Sequence, residues 1–319
     1  MIENTKKNSR CYTTVSTAHL TKTEWLELRK TALTGTDAPK LMGVSKYGSP
    51  LSVYHEKTMD GVIEFENERL TQGADLEEYC AERFMRATGK KLIRSRRFYR
   101  NKQYPFLGAD IDRLVVGEEA GFEAKTMLQT SYKPEEWADG APPYYLYQVY
   151  HYMHCLGFKK WYLGLLVLGS DFIIREINWD ENKIADMVRA EVSFWNEHIV
   201  PRVLPDPIGS KYCDEALGEI FCAPKKETVH LLGMDESLRR RLEIDQMIDA
   251  LDTERRNIDQ SIKFQMGENE IAYIGQNRIS WSSVTSSRLN TAKLKEEHPE
   301  VYDQYLVKTN TRRFQIKAA

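Results

Sequence analysis

The chain has 319 residues, 41% hydrophobic and 29% charged, with a net charge of −2. That is a soluble globular composition with room for one large domain and a smaller one. No apolar run reaches the ~20 residues that a bilayer span needs, and near-neutral charge excludes a globally basic nucleic-acid binder while allowing a local basic groove. Five cysteines without a C-x-x-C pair favour reduced thiols over a disulfide framework or a zinc site. The N-terminus has no signal-peptide core, so a cytoplasmic protein is expected.

After a loose arm to about residue 20, Thr21 and Glu24 have capping-box spacing and open a helix carrying Trp25 and Arg29. Leu33 to Ala38 is a small-residue turn into a short helix. Its free N–H groups, with Arg29 and the Thr36 hydroxyl, offer a place for a phosphate, although an ordinary capped helix start fits these residues better when they are taken alone. Ser49-Pro50-Leu51 starts the next helix. A longer one spans Asn67 to Thr88, with Leu70, Leu76, Tyr79, Cys80, Phe84 and Met85 as its buried stripe. Gly73 suggests a close backbone approach, and Glu77 or Glu78 must lie near the buried face.

Basic strands are expected over Lys90 to Arg100. Gly108 to Met127 reads as two strands joined by the turn at Gly117 to Gly121. The first carries Asp110, Asp112 and Arg113; the second projects Glu123 and Lys125 from one face. Such a charge cluster is costly in a fold unless it is paired or binds a metal. A polar loop leads through Pro142-Pro143 into a helix ending at Gly157, with Gln148 and Tyr152 on one face. His151 and His154 read as packing or surface residues, since no His/Cys spacing suggests zinc.

Lys160 to Leu168 is a strand buried on both faces, Asp171 to Ile177 an edge or neighbouring strand, and Asp180 caps a helix running through His198. The order gives an α/β core with a central mixed sheet flanked by helices. Pro201 to Pro207 marks a boundary, dividing the chain into a core over 1–207 and a C-terminal helical arm with a small α+β region over 208–319. There, Asp235 is expected to cap a charged helix to Met266 with a heptad seam at Ile244, Ile248, Leu251, Ile258 and Ile262. A hairpin follows over Glu270 to Val284, then two short helices and a basic final strand at Arg312 to Lys317. Tyr273, Trp281 and Phe314, interleaved with basic residues, could touch nucleic acid.

Asp112 followed by Glu123-Ala124-Lys125 fits the pattern D-x(n)-E-x-K. Carboxylates in this arrangement can hold one or two Mg²⁺ ions that position a water for in-line attack on a phosphodiester. A neighbouring lysine orients or deprotonates that water, or neutralises the phosphate. Glu77 is a further acid, and Gln148 could hold the water or the phosphate.

Four motifs in order strengthen this reading: Arg29 through Thr36-Asp37, Gly73-Ala74-Asp75-Leu76-Glu77, Ala109 to Asp112 with Glu123 to Lys125, and Gln148 with Tyr152. Over roughly residues 20–200 the chain resembles the YqaJ viral recombinase family of phage-type alkaline exonucleases, which includes lambda exonuclease, within the PD-(D/E)xK nuclease superfamily. The resemblance implies a restriction-endonuclease-like core. It implies Asp112, Glu123 and the Ala124 carbonyl as ligands of Mg²⁺ (or Mn²⁺), with Glu77 nearby, Lys125 as base or orienter, and Gln148 beside them. It places Arg29 and Thr36 on a 5′-phosphate, with Tyr152 on the DNA side. Asp110 competes with Asp112, and the A-x-x-D register favours Asp112.

The implied activity is a 5′→3′ exonuclease acting on double-stranded DNA ends and leaving 3′ strands for a single-strand annealing recombinase. The implied assembly is a homo-oligomer, a trimer by resemblance, with no membrane. A structure-specific or restriction-like endonuclease and a non-catalytic DNA-binding assembly module are the alternatives.

Overall fold

The computed structural model describes residues 10–64, 67–307 and 312–317. Contacts divide the chain into two compact units, one ending at Cys222 and one beginning at Ala223.

The first unit opens with β1 (Tyr12–Ser16), α1 (Lys22–Lys30), α2 (Ala38–Leu41), α3 (Pro50–Thr58) and α4 (Glu68–Thr88). Five short strands follow: β2 (Leu92–Arg94), β3 (Arg97–Asn101), β4 (Gly108–Asp110), β5 (Arg113–Val115) and β6 (Ala120–Leu128). Then come α5 (Pro143–Leu156), β7 (Lys160–Leu168), β8 (Asp171–Asn178), α6 (Glu181–Phe194) and α7 (Lys211–Ile220). The central sheet has the order β2-β5-β6-β7-β8. Only β6 and β7 are parallel within it, so the sheet is mixed as expected. Parallel neighbours need a crossover, and α5 supplies it. A second antiparallel sheet, β1-β3-β4, lies beside the first.

Alternation along β6 and β7 sends side chains to two helical layers. Phe122 and Tyr162 meet Cys80, Ala81 and Phe84 of α4 on one face. Trp161, Leu163 and Leu165 meet Val149, Tyr152 and Met153 of α5 on the other, backed by Ile184 and Met187 of α6.

Local signals largely hold. Thr21 and Glu24 close the capping box of α1, and Ser49 caps α3. Gly157 takes the left-handed turn that ends α5.

Three expectations are corrected, while the helix expected through His198 holds with a change of pitch after Phe194. Leu70 and Tyr79 of α4 are exposed, because the sheet under this helix is short and meets only its C-terminal half. Among the described residues nothing lies within 4 Å of a Cβ placed on Gly73, so none of their backbone approaches there. The regular helix α6 ends at Phe194 and continues as a π-helical turn, Trp195–Ile199, where the Trp195 ring stacks on Phe106 at 5.1 Å. The first unit also extends past Pro207, because α7 buries Cys213 and Ala216 against Leu51 of α3.

The second unit holds α8 (Asp235–Met266), the hairpin β9 (Ile271–Ile274) and β10 (Asn277–Ser280), α9 (Thr291–Glu297) and α10 (Pro299–Gln304). Gly275 has φ of +59° in the two-residue turn between β9 and β10, a conformation that favours glycine. Met234, without a side-chain cap, precedes α8 in place of the expected Asp235 cap. Ile244, Ile248, Leu251 and Ile258 of the heptad seam are exposed, as are Tyr273, Trp281 and Phe314. Residues 312–317 are irregular and form no strand. Among the described residues, no helix is long and apolar enough to cross a membrane. All five cysteines are free thiols.

Candidate active site

The expected strand through Asp110 and Asp112 is broken in two. Its first half, β4, pairs with β3; its second half, β5, pairs with β6 in the other sheet. The chain changes sheets at Ile111 and Asp112, and this sends the two aspartates to different places. Asp110 accepts a hydrogen bond from the Trp25 indole at 2.7 Å and faces Arg29 at 3.6 Å. Asp112 accepts from the backbone N–H of Ala124 at 2.9 Å. The β5–β6 ladder stops at Arg113 opposite Phe122, so the Asp112 carboxylate takes up the next N–H of β6 in place of a backbone partner. Topology thus sets Asp112 against the Ala124 N–H and Asp110 against Trp25 and Arg29.

Glu123 projects from β6 toward α5. Its Oε1 accepts from Lys125 Nζ at 2.7 Å and from Gln148 Nε2 at 2.7 Å. Its Oε2 is buried and has no hydrogen-bond partner among the described residues. An orphaned carboxylate oxygen is costly, and beside a second, partly buried acid it suits a bound cation. Burial raises the pKa of Asp112 well above the usual carboxylate range, and the charges of Glu123 and Glu77 add to it. Burial also raises Glu123, against the pull of Lys125. Burial works against the Lys125 charge, but Glu123 and Asp112 outweigh it and raise this lysine's pKa.

These groups line a cleft of about 310 Å³ with Gly73, Glu77, Ala124 and Arg69. Glu77 reaches the cleft from α4, but Arg113 holds its Oε1 at 3.3 Å. Among the described residues Asp112, Glu123 and Glu77 do not converge on one point as a three-acid cluster. The closely placed donors are two carboxylates, which suits an ion that keeps several waters.

The Arg29 turn lies next along α5. Arg29 Nη2 donates to Thr36 Oγ1 at 3.1 Å and to Thr34 Oγ1 at 3.3 Å, and its guanidinium stacks on Trp25 at 4.7 Å. Asp37 does not cap α2. Its carboxylate turns inward to the Thr34 N–H at 2.9 Å and to Lys57 at 2.9 Å. Tyr152 lies in the core, 4% exposed, and its hydroxyl accepts from Gln148 Nε2 at 2.8 Å. It therefore does not present a face to a ligand; it supports Gln148 and the turn.

Gly35 makes the junction between turn and helix. A Cβ there would sit 2.4 Å from the Tyr152 ring and 3.1 Å from the Gln148 carbonyl. Tyr152 is itself packed on Trp161, so it has little room to yield. Gly35→Ala is expected to cost about 1–3 kcal/mol in thermal or urea unfolding and to displace Gln148 from Glu123.

Residues 24–159 match the YqaJ-like viral recombinase domain. The chain is also similar to the uncharacterized protein YqaJ of Bacillus subtilis (strain 168), with 32% identity over 306 residues, covering 94% of this chain and 95% of that protein. The chain belongs to the YqaJ-like viral recombinase family. Among solved structures it is similar to an alkaline exonuclease from Laribacter hongkongensis, with 21% identity, 55% of this chain and 91% of that chain covered, and a TM-score of 0.46. A phage-related exonuclease from Haemophilus somnus 129PT shows 14% identity, 61% and 99% coverage, and a TM-score of 0.39.

Two positioning elements of this YqaJ-like site escape a reading of the sequence. Arg113 is 5% exposed and donates to Glu78 at 2.8 Å as well as to Glu77, tying α4 to the sheet beside the acids. Adjacent glutamates opposite a strand arginine were the available signal. His151 is fully buried, with Nδ1 at 2.6 Å from Glu191 and Nε2 at 2.9 Å from the Gly108 carbonyl. A carboxylate and a carbonyl on the two ring nitrogens favour the doubly protonated ring. Burial opposes that charge, but Cys155 and Glu191 outweigh it and raise the pKa well above the usual histidine value. The pair ties α5 to α6 and to the start of β4.

Proposed function

We propose that this chain is a metal-dependent deoxyribonuclease that digests duplex DNA from its 5′ ends, leaving 3′ single strands for a phage-type annealing recombinase. The observation that carries the reading is the buried, unpartnered Glu123 Oε2 beside Asp112 at the floor of an open cleft. Asp112, Glu123 and the Ala124 carbonyl would hold Mg²⁺ or Mn²⁺, with Glu77 across the cleft. Once bound, the ion would supply charge to activate a water and to stabilise the charge developing on the phosphate. Lys125, held by Glu123, orients that water or neutralises the scissile phosphate. Gln148 fixes the Glu123 rotamer.

Arg29 and Thr36 would take the terminal 5′-phosphate. Arginine suits planar recognition of a phosphate, and here it is pre-oriented by Trp25, Asp110 and the two threonines. An end pocket beside the acids favours an exonuclease over an endonuclease. A ring of copies, trimeric as the family resemblance implies, would give processivity without a basic net charge.

The test uses linear 5′-phosphorylated duplex, the same duplex with 5′-hydroxyl ends, and closed circles, each with Mg²⁺ or EDTA. Fast Mg²⁺-dependent loss of the first substrate alone is expected. Equal cutting of linear and circular DNA would replace the exonuclease reading with an endonuclease. No metal-dependent cutting of any substrate would leave only a binding module.

A further inference from the structure

Helix α5 touches three parts of the candidate site with one face. Gln148, His151 and Tyr152 are spaced by one helical turn and share that face. Gln148 donates to Glu123 at 2.7 Å, Tyr152 packs against Gly35, and His151 Nε2 reaches the Gly108 carbonyl at 2.9 Å. Gly108 is the joint between them. It opens β4, from which the chain runs on to Asp110 and Asp112. Its N–H donates to the Leu33 carbonyl at 2.8 Å, and Leu33 leads directly into the turn that presents Thr36 to Arg29. A side chain on Gly108 would collide with the Phe98 ring and crowd Ala32, so only glycine lets the two segments lie this close. The buried Gly108 thus bonds the phosphate turn through its N–H and α5 through its carbonyl.

His151 is held in turn by α6. Glu191 lies 2.6 Å from Nδ1, both side chains are fully buried, and Cys155 Sγ lies 3.4 Å from Nε2. Stability alone does not account for this pair. Apolar residues of similar volume commonly match or exceed a buried ion pair. Here Glu191 Oε2 also has no hydrogen-bond partner among the described residues, which adds a cost. What the pair supplies is direction. A ring bonded at both nitrogens has one orientation, and it fixes α5, β4 and α6 in one register.

With the terminal 5′-phosphate at Arg29 and the scissile phosphate at Glu123, the separation of the two sites decides how many nucleotides each cut releases. We propose that His151, bonded to Glu191, is a positioning residue that holds the phosphate turn in register with the metal site and so fixes the length of the released product. This rests on the nuclease reading above.

The test replaces the pair by apolar side chains of similar volume. The double variant His151→Leu with Glu191→Met is expected to stay folded, as read by circular dichroism and urea unfolding. Duplex radiolabelled at its 5′-phosphate is digested with Mg²⁺, and the labelled products are separated by size. Wild type is expected to release the label in a single species. In the double variant, labelled species of other lengths are expected to rise about tenfold, with turnover lower by about tenfold or more. Glu191→Gln keeps a hydrogen bond to each ring nitrogen and is expected to retain the single species. Wild-type product length in the folded double variant overturns the proposal whatever its rate, because a merely structural pair would change the amount of active enzyme and not the length. Should the double variant fail to fold, His151→Gln, with one donor nitrogen where the ring has two, takes its place with the same two outcomes. Should the wild type fail to degrade DNA, the nuclease reading falls by itself. The positioning is then judged by amide hydrogen exchange at Gly108 and from Leu33 to Thr36: exchange faster by about tenfold in the variant supports it, and unchanged exchange overturns it.

Discussion

Asp112→Asn is expected to lower Mg²⁺-dependent DNA degradation by about 10³-fold or more and at the same time to raise the melting temperature of the metal-free protein. The two effects have one cause. The amide oxygen of the substituted side chain can still accept the hydrogen bond from the Ala124 N–H, so the backbone geometry at the end of β5 is kept. What the substitution removes is a negative charge that the fold itself disfavours. Burial, and then the charges of Glu123 and Glu77, push the folded Asp112 pKa well above its ordinary value. The ionised carboxylate is therefore destabilising when no cation is bound, and its removal relieves that cost. An active site that stores unfavourable charge until its ligand arrives is a familiar source of such opposition between stability and activity. Differential scanning fluorimetry in EDTA and in Mg²⁺ reads the stability side. The wild type should gain melting temperature with Mg²⁺, because ligand binding stabilises the folded state, and Asp112→Asn should gain little. Undiminished Mg²⁺-dependent degradation by this variant would place the chemistry elsewhere.

The central helix, the buried strand after it and the acids of the cleft were legible in the sequence because each depends on a local rule. Pro143 and Gly157 bound α5, continuous apolarity marks β7, and the E-x-K alternation puts Glu123 and Lys125 on one face. The features that escaped depend on distant chain. Nothing local to Ile111 says that the backbone leaves β3 for β6, and a polar residue on either side of it reads the same within one strand or two. The Pro-rich stretch at residues 201–207 does punctuate the chain, but the small buried faces of Cys213 and Ala216 bring α7 back onto α3. Tyr152 shares a face with Gln148 as its spacing requires, yet only packing shows that this face is interior. In the second unit, the heptad pattern of α8 marks a helix correctly without saying what covers its seam.

Asp37→Ala is expected to cost about 3–5 kcal/mol, more than Gly35→Ala in the same turn. Asp37 and Lys57 form an ion pair at 2.9 Å with side-chain exposures of 1% and 0%. Burial by itself would raise the Asp37 pKa, but Lys57, then Lys40 and the Thr34 N–H, outweigh it and hold the carboxyl far below its usual value. Removing the carboxylate leaves Lys57 buried with only the half-exposed Glu56 as counter-charge. A depressed folded-state pKa contributes stability that is complete above the unfolded-state value of about 3.9 and is lost as pH falls toward the folded value. The stability gap between wild type and Asp37→Ala should thus be widest near neutrality and narrow below about pH 4, as read by urea unfolding across pH. Adding Lys57→Met should recover part of the loss, since an apolar pair of similar volume replaces the stranded charge. If the double variant proved no more stable than Asp37→Ala, the cost would lie in the lost Thr34 hydrogen bonds instead. Those bonds shape the turn that presents Thr36 to Arg29, so discrimination between 5′-phosphoryl and 5′-hydroxyl ends should fail in both variants and stay intact in Lys57→Met alone.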